Sequence, residues 1–258
     1  MKIGVVGLGM VGSQVHKHFK GSKGFDKYKK IGTPEEIQHC ELVFICVPTP
    51  YEKDECDLSF LENAFLTCTK TGQTVVIKST VPPGVCETFA KRFPSLIVLS
   101  NPEFLTEATA GQDFLHPERQ IVGMSDPGQK KVAEQLLEIL PKAEHSYIMT
   151  ANEAAMVKYF GNAFFALKVA FSNQIFDLCQ NLKIDYAKVQ DAVKDDSRIG
   201  PEHLTIQHKG YRGYGGKCLP KDTRALLRCG RSNDIDLTLL DEAERYNNFL
   251  LKAQNLEV

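Results

Sequence analysis

The chain has 258 residues, long enough to bury one large core or a domain with a helical extension. Hydrophobic residues make up 43% and charged residues 24%, an ordinary globular balance. With 31 basic against 32 acidic side chains the net charge is only -1, so no nucleic-acid surface is indicated. No run approaches the length of a membrane span, and Met1-Lys2 leads straight into a strand pattern without the apolar region of a signal peptide. Eight cysteines (40, 46, 56, 68, 86, 179, 218 and 229) are scattered without a C-x-x-C pair, which argues against a zinc site or disulfide framework. Reduced thiols in a cytoplasmic protein, with no metal, are the expectation.

The first half alternates short β-branched runs with helical patterns, the signature of parallel strands joined by crossover helices. Strands are predicted at Ile3–Gly7, Leu42–Val47, Thr74–Lys78, Leu96–Ser100 and Gln120–Gly123. A sixth, around Ser146–Met149, follows the amphipathic stretch Gln129–Leu140. Open parallel sheets place ligands at the carboxyl ends of their strands, so those ends are the first place to look for chemistry.

Gly7-Leu8-Gly9-Met10-Val11-Gly12 has G-x-G-x-x-G spacing, follows a strand and precedes the helical pattern Ser13–Lys20. The first glycine permits a tight turn, the second lets backbone approach a pyrophosphate, and the third lets helix and strand pack closely. Asp26 would accept the adenosine ribose at the tip of a second strand, favouring NAD over NADP, although it comes only fourteen residues after Gly12. A solvated turn acid is the competing reading.

From Asn152 to Lys183 there is no Pro, and apolar side chains recur at helical spacing: Phe160, Phe164, Leu167, Phe171, Ile175 and Leu178. A helix apolar over so much of its circumference needs more than one partner surface. It reads as an inter-domain and dimer spine or, equally, as a buried core helix. Tyr186–Val193 is a shorter helical pattern, Asp195–Gly216 reads as a loop, and Pro220–Cys229 and Asp236–Gln254 read as helices. The architecture expected is an N-terminal Rossmann-type, doubly wound, mostly parallel α/β sheet over residues 1–150. An all-α dimerisation region with a long central helix should follow over 151–258.

Cys218 sits between Gly213-Tyr214-Gly215-Gly216-Lys217 and Leu219-Pro220-Lys221-Asp222. Pro220 suits the first turn of a helix, so Cys218 should precede a helix N-terminus, where the helix dipole and Lys221 both favour a thiolate. The alternative is a cysteine that serves as a small buried apolar group.

At this point the chain resembles the nucleotide-sugar dehydrogenase family over nearly all its length, through several motifs in order. They are the glycine loop, Cys46-Val47-Pro48-Thr49-Pro50, Lys78-Ser79-Thr80-Val81-Pro82-Pro83-Gly84 and Asn101-Pro102-Glu103-Phe104-Leu105-Thr106-Glu107. Asp113-Phe114-Leu115-His116-Pro117-Glu118-Arg119, the Lys158-x-x-x-Asn162 pair and Gly-Gly-Lys-Cys-Leu-Pro-Lys-Asp complete the set. The resemblance implies NAD as cofactor, held by Gly7, Gly9, Met10, Val11, Gly12, Asp26, Pro48, Thr49, Thr80 and Glu107. It implies oxidation of a sugar's primary alcohol to a carboxylate in two hydride transfers, with Cys218 carrying the aldehyde as a thiohemiacetal and then a thioester.

Lys158 and Asn162 are implied to stabilise the oxyanion and bind the sugar, and Asp222 to orient water. Thr80 would position a water or the substrate hydroxyl, and Glu107 would stand beside the nicotinamide and serve in thioester hydrolysis. Glu103 is implied as a proton relay or loop support; Phe104, Leu105 and Lys221 as sugar contacts; Arg198, Tyr211, Tyr214 and Gly215 as the nucleotide grip. The residue matching Arg198 would reach a neighbouring subunit. Asp113 to Pro117 favours UDP-glucose, while Thr205-Ile206-Gln207-His208-Lys209-Gly210 departs from the family pattern and leaves the base open. GDP-mannose, or a non-catalytic module binding NAD and nucleotide sugar, are the alternatives. The resemblance further implies that the family's second doubly wound domain is absent.

Overall fold

The computed structural model describes residues 1–256. The chain forms two compact units, Met1–Lys158 and a second from Tyr159 onward. In the first unit β1 (Ile3–Val6), α1 (Met10–His18), β2 (Lys23–Phe25), α2 (Pro34–Gln38) and β3 (Leu42–Ile45) follow in order. A small hairpin, β4 (Tyr51–Glu52) and β5 (Glu55–Cys56), precedes α3 (Ser59–Cys68), β6 (Thr74–Ile77), α4 (Val85–Arg92) and β7 (Ile97–Ser100). Then come α5 (Ala110–Leu115), β8 (Arg119–Met124), α6 (Lys130–Ile139), β9 (His145–Thr150) and the long α7 (Ala151–Asn181), within which the unit boundary falls.

Seven strands make one sheet in the order β2-β1-β3-β6-β7-β8-β9. Every pairing is parallel except β7 with β8, where Leu99 faces Met124 and Ser100 faces Gly123. The central strands β1, β3, β6, β7 and β8 are buried on both faces, which explains why they read as near-continuous apolar runs, whereas the edge strands β2 and β9 stay partly open. Side chains still alternate. Val6, Val43, Ile45, Val75, Ile77 and Val98 pack against Ile37, Leu61, Phe65 and Phe89 of α2, α3 and α4. Val5, Phe44, Val76, Leu99 and Val122 face Val15, Phe114, Ala133 and Leu136 of α1, α5 and α6. The chain leaves β1 for β2 on one side and returns to β3 on the other, a reversal that opens a crevice beyond the carboxyl ends of β1 and β3.

The glycine loop fills that position. Gly7 has φ +83, and a Cβ there would stand 2.7 Å from the Cys46 carbonyl oxygen. A Cβ on Gly12 would stand 1.8 Å from the Gly7 carbonyl oxygen, whereas Gly9 has open space around it. Gly7 and Gly12 thus make the tight turn and the close helix–strand approach that the spacing implied.

In the second unit α7 continues, followed by α8 (Tyr186–Val193), β10 (Gln207–His208), β11 (Tyr211–Arg212), α9 (Leu219–Arg231) and α10 (Thr238–Ala253). Ala163 packs with Leu227 and Leu240, and Ala166 and Val169 with Tyr214. The β10–β11 pair lies inside a stretch the sequence presents as plain loop, and the β4–β5 hairpin was not foreseen either. Tyr159 and the small residues Ala163, Ala166 and Ala170 of α7 face inward, while Phe160 (67% exposed), Phe164 (51%), Phe171 (64%) and Leu178, with Leu182 just past the helix, lie open. Among the described residues no helix is long and apolar enough to cross a membrane.

Gly12→Ala tests the close approach at the glycine loop. Because the clash is with backbone and cannot be relieved by a rotamer change, it should cost about 1–3 kcal/mol, read as a lowered Tm in thermal unfolding. An unaltered Tm would show that the loop yields.

Candidate active site

The dinucleotide end is built around Asp26, the residue after β2. Its Oδ2 accepts the Leu8 N–H at 2.8 Å, and Oδ1 accepts the N–H groups of Tyr28 (3.0 Å) and Lys29 (2.9 Å). Lys29 Nζ donates to the Leu8 carbonyl at 2.5 Å. Partial burial works to raise the Asp26 carboxyl, but the three N–H donors and the Lys29 charge outweigh it and hold the group below the usual carboxylate range. No side chain caps the N-terminus of α1 and no acid lies in its first turn, which suits an incoming anion. An open Gly9, an uncapped helix start and an ionised acid at the strand tip together fit an NAD pyrophosphate and ribose. Met10 and Val11 open that helix. Pro48 is exposed, and Thr49 Oγ1, buried, donates to the Thr80 carbonyl at 2.6 Å, tying the loops after β3 and β6 together.

The segment after β7 carries the next group. Glu103 Oε1 stands 3.0 Å from Lys158 Nζ in an ion pair with both side chains largely buried, and Glu103 Oε2 accepts the Leu105 N–H at 2.6 Å. The Phe104 ring lies beneath two cations, Arg119 at 4.2 Å and Lys158 at 5.7 Å. The structure thus brings Glu103, Phe104, Leu105 and Lys158 together. Glu107 is exposed on the same segment, ahead of α5.

In the second unit Cys218 occupies the N-cap position of α9 and is exposed, and its carbonyl accepts the Asp222 N–H at 2.9 Å. Asp222 is buried. Its Oδ2 accepts Asn162 Nδ2 at 2.5 Å and its Oδ1 accepts Lys221 Nζ at 2.5 Å. Lys221 is therefore turned onto its neighbouring acid, where the sequence suggested a direct influence on the sulfur. Arg198 forms a two-pronged pair with Asp196, two residues away, through Nε (2.9 Å) and Nη2 (2.6 Å).

Tyr214 lies in the core of this unit. Its hydroxyl donates to Glu244 at 2.6 Å, and its backbone N–H and carbonyl are both taken by Asn247, at 2.7 and 2.9 Å. Burial and the Glu244 carboxylate push the phenol far up, so it stays neutral and donating. With those groups engaged, Tyr214 supports the glycine turn. Tyr211 packs over Gly215, where a Cβ would meet its hydroxyl at 2.5 Å.

Sequence reasoning passed over Glu244, Asn247 and Arg224, whose Nε donates to Glu244 at 2.6 Å. The available signal was phase: Glu244 and Asn247 recur with the buried Leu240, Ala243, Leu250 and Leu251 of α10, so they point inward. Among the described residues no group of three His, Cys, Asp or Glu could hold a metal ion.

Residues 27–140 match the model of the UDP-glucose/GDP-mannose dehydrogenase family, NAD binding domain. Residues 152–249 match the central domain of the same family. The chain belongs to the UDP-glucose/GDP-mannose dehydrogenase family. The UDP-glucose 6-dehydrogenase TuaD of Bacillus subtilis (strain 168) is 35% identical over 221 residues, 81% of this chain and 46% of that protein. The UDP-glucose 6-dehydrogenase of Rickettsia prowazekii (strain Madrid E) is 34% identical over 231 residues, 86% of this chain and 52% of that protein. A solved UDP-glucose dehydrogenase from Pyrobaculum islandicum superposes with a TM-score of 0.82 at 28% identity, covering 98% of this chain and 71% of that one. The chain spans about half the length of the curated family members it matches.

Asp26→Ala should weaken NAD binding by about 1.5–3 kcal/mol, the worth of a hydrogen bond to a charged group. Calorimetric titration with NAD reads the loss directly; an unchanged Kd would place the ribose acceptor elsewhere.

Proposed function

We propose that this chain oxidises the sugar primary alcohol of UDP-glucose to the carboxylate, using NAD and a covalent cysteine. The observation that carries the reading is Cys218, exposed at the start of α9 directly after a glycine-rich turn and one helical turn before the buried Asp222. A sulfur at that position is accessible to an aldehyde, and the positive end of α9 favours its anion. NAD, when bound, accepts one hydride in each of the two oxidations.

The chain's own groups divide the remaining work. Glycine-loop amides and Asp26 hold the dinucleotide, and Thr80 lies at the strand end where it can orient the substrate hydroxyl. Cys218 adds to the aldehyde carbon, and the resulting thiohemiacetal cannot diffuse away. After the second oxidation, water cleaves the thioester and returns the thiol. Lys158 supplies positive charge to the oxyanion in each step and Asn162 a hydrogen bond, with Glu103 and Asp222 as their resting partners. Asp222 is then placed to orient the hydrolytic water, and Glu107 to take its proton. GDP-mannose is the competing sugar nucleotide, and binding without turnover the competing role.

We also infer a homodimer through α7. Phe160, Phe164, Phe171 and Leu178 fall within about 40° of one another around a 3.6-residue helix, forming one exposed apolar stripe. A stripe of that length on a monomer calls for a cover, and a second copy provides a self-complementary one.

Mixing the purified chain with NAD and UDP-glucose should produce NADH, and Cys218→Ser should abolish acid formation with NAD affinity nearly unchanged. GDP-mannose in place of UDP-glucose settles the sugar nucleotide. Saturation by NAD with no NADH at any sugar concentration, and no heat of sugar binding, would sink the enzyme reading and leave a binding module. For the dimer, light scattering at micromolar concentration should give twice the chain mass, and Phe164→Asp should halve it. A wild-type monomer would remove that proposal.

A further inference from the structure

Directly after β6 the chain buries an ammonium. Lys78 is 4% exposed, and its Nζ donates to Asn101 Oδ1 at 2.7 Å and to the Asn101 carbonyl at 3.2 Å. Asn101 is fully buried and passes the tie onward, its Nδ2 donating to the Ile121 carbonyl at 2.7 Å and to Gln120 Oε1 at 3.3 Å. The Phe114 ring closes the site from α5, 5.9 Å from Nζ. Among the described residues no carboxylate stands within ion-pair distance of this lysine. Burial pushes the ammonium down to about 8, against the opposing pull of Cys46 and Glu103. Cys46 offers no counter-charge at neutral pH, since burial pushes its thiol up to about 12.

A buried charge with neutral partners is costly relative to an apolar side chain of the same length. Packing alone gives a strand end no reason to carry one. What the lysine holds is the first residue of the segment Asn101–Leu105. Two residues on, Glu103 takes both the Leu105 N–H and the Lys158 ammonium, and between them Phe104 lies under Arg119 and Lys158. The whole cluster descends from one anchored asparagine.

We propose that Lys78 is a positioning residue: by clamping Asn101 it sets the path of residues 101–105 and thereby holds Glu103 and Phe104 around the Lys158 ammonium. The functional importance of the clamp rests on the reading of Lys158 as a sugar-contacting group, while the clamp itself does not. A proline at 102 stiffens the segment without anchoring it.

The test is hydrogen exchange and lysine labelling on the full chain carrying Lys78→Met, which fills the same space without charge or donor. Amides of residues 103–106 should exchange at least tenfold faster while β6 and β8 keep their protection. Lys158 should react at least threefold faster with a small acylating reagent, read by peptide mass spectrometry, and the Kd for NAD should stay within twofold. Asn101→Ala, which keeps the lysine and removes its side-chain partner, should give the same local pattern. Glu103→Gln should expose Lys158 to the reagent without loosening the amides as far. Unaltered exchange and labelling in Lys78→Met, or a uniform rise across the sheet, would overturn the clamp. Failure of both Lys78→Met and Asn101→Ala to fold would also overturn it, by making the pair an anchor of the whole sheet. If wild-type protein shows no heat with UDP-glucose, the sugar reading fails, and the exchange data still decide the clamp.

Discussion

The arrangement of the first unit depends on how closely backbone can approach backbone beyond β1. The space between the Gly7 carbonyl and the first turn of α1 leaves no room for a side chain at position 12, and the Cys46 carbonyl leaves none at position 7. That proximity lets α1 pack on the sheet through Val15 with its N-terminus aimed at the crevice, and it brings the loop after β3 beside the loop after β1. Around it the other strand ends are stitched by side chains: Thr49 to the Thr80 carbonyl, Ser79 to the Val47 carbonyl at 2.7 Å, and Asp26 to the Leu8 N–H. A dinucleotide cradle is the consequence of this packing, since the same absence of Cβ atoms that permits the approach also uncovers the amides.

A second constraint governs the polar groups. Buried donors and acceptors cost free energy unless each is paired. Lys158 is matched to Glu103, Asn162 to Asp222, and Tyr214 to both Glu244 and Asn247. Each pair locks a long side chain into one rotamer, so any group that later meets substrate starts from a defined place. The buried ion pair adds little net stability beside an apolar replacement, but removing one member of any of these pairs strands the other. Their value lies in orientation.

These two constraints explain what was legible in the sequence. Strands β1, β3, β6 and β7 announce themselves because central strands covered on both faces demand unbroken apolar, β-branched runs, and the glycine loop because positions 7 and 12 leave no room for a side chain. The direction of β8 could not be read, since Arg119–Met124 would look the same paired parallel or antiparallel to β7. The β4–β5 hairpin was hidden because it turns on Lys53 and Asp54, both at positive φ, where the usual signal is Gly or Asn. Cys218 was legible from local chemistry, with Gly before it and Pro after it. The buried polar pairs of the two units were not: Lys78 with Asn101, and Tyr214 with Asn247, are contacts across 23 and 33 residues. No periodicity records which partner a buried polar group will find.

The long helix shows the same limit from the other side. Periodicity marks α7 as apolar over most of its circumference, but it does not say which apolar residues go inward. In the structure the second unit takes Ala163, Ala166 and Ala170, half-buries Phe165 and Phe176, and leaves Phe160, Phe164 and Phe171 outside. Small residues inward let helices approach closely, which is what Ala163 against Leu227 and Leu240, and Ala166 against Tyr214, require. Burying the larger rings instead would push α9 and α10 away and open the turn that carries Cys218. The inner face is therefore chosen by the need to bring Tyr214 and α9 close to α7. The outer face is left with Phe160 stacked on Phe164, 6.2 Å between centroids, in positions where a protein meant to stay in water alone would carry charge. The geometry that secures the cysteine turn thus leaves an apolar surface on the far side of the same helix, the surface on which the proposed dimer rests.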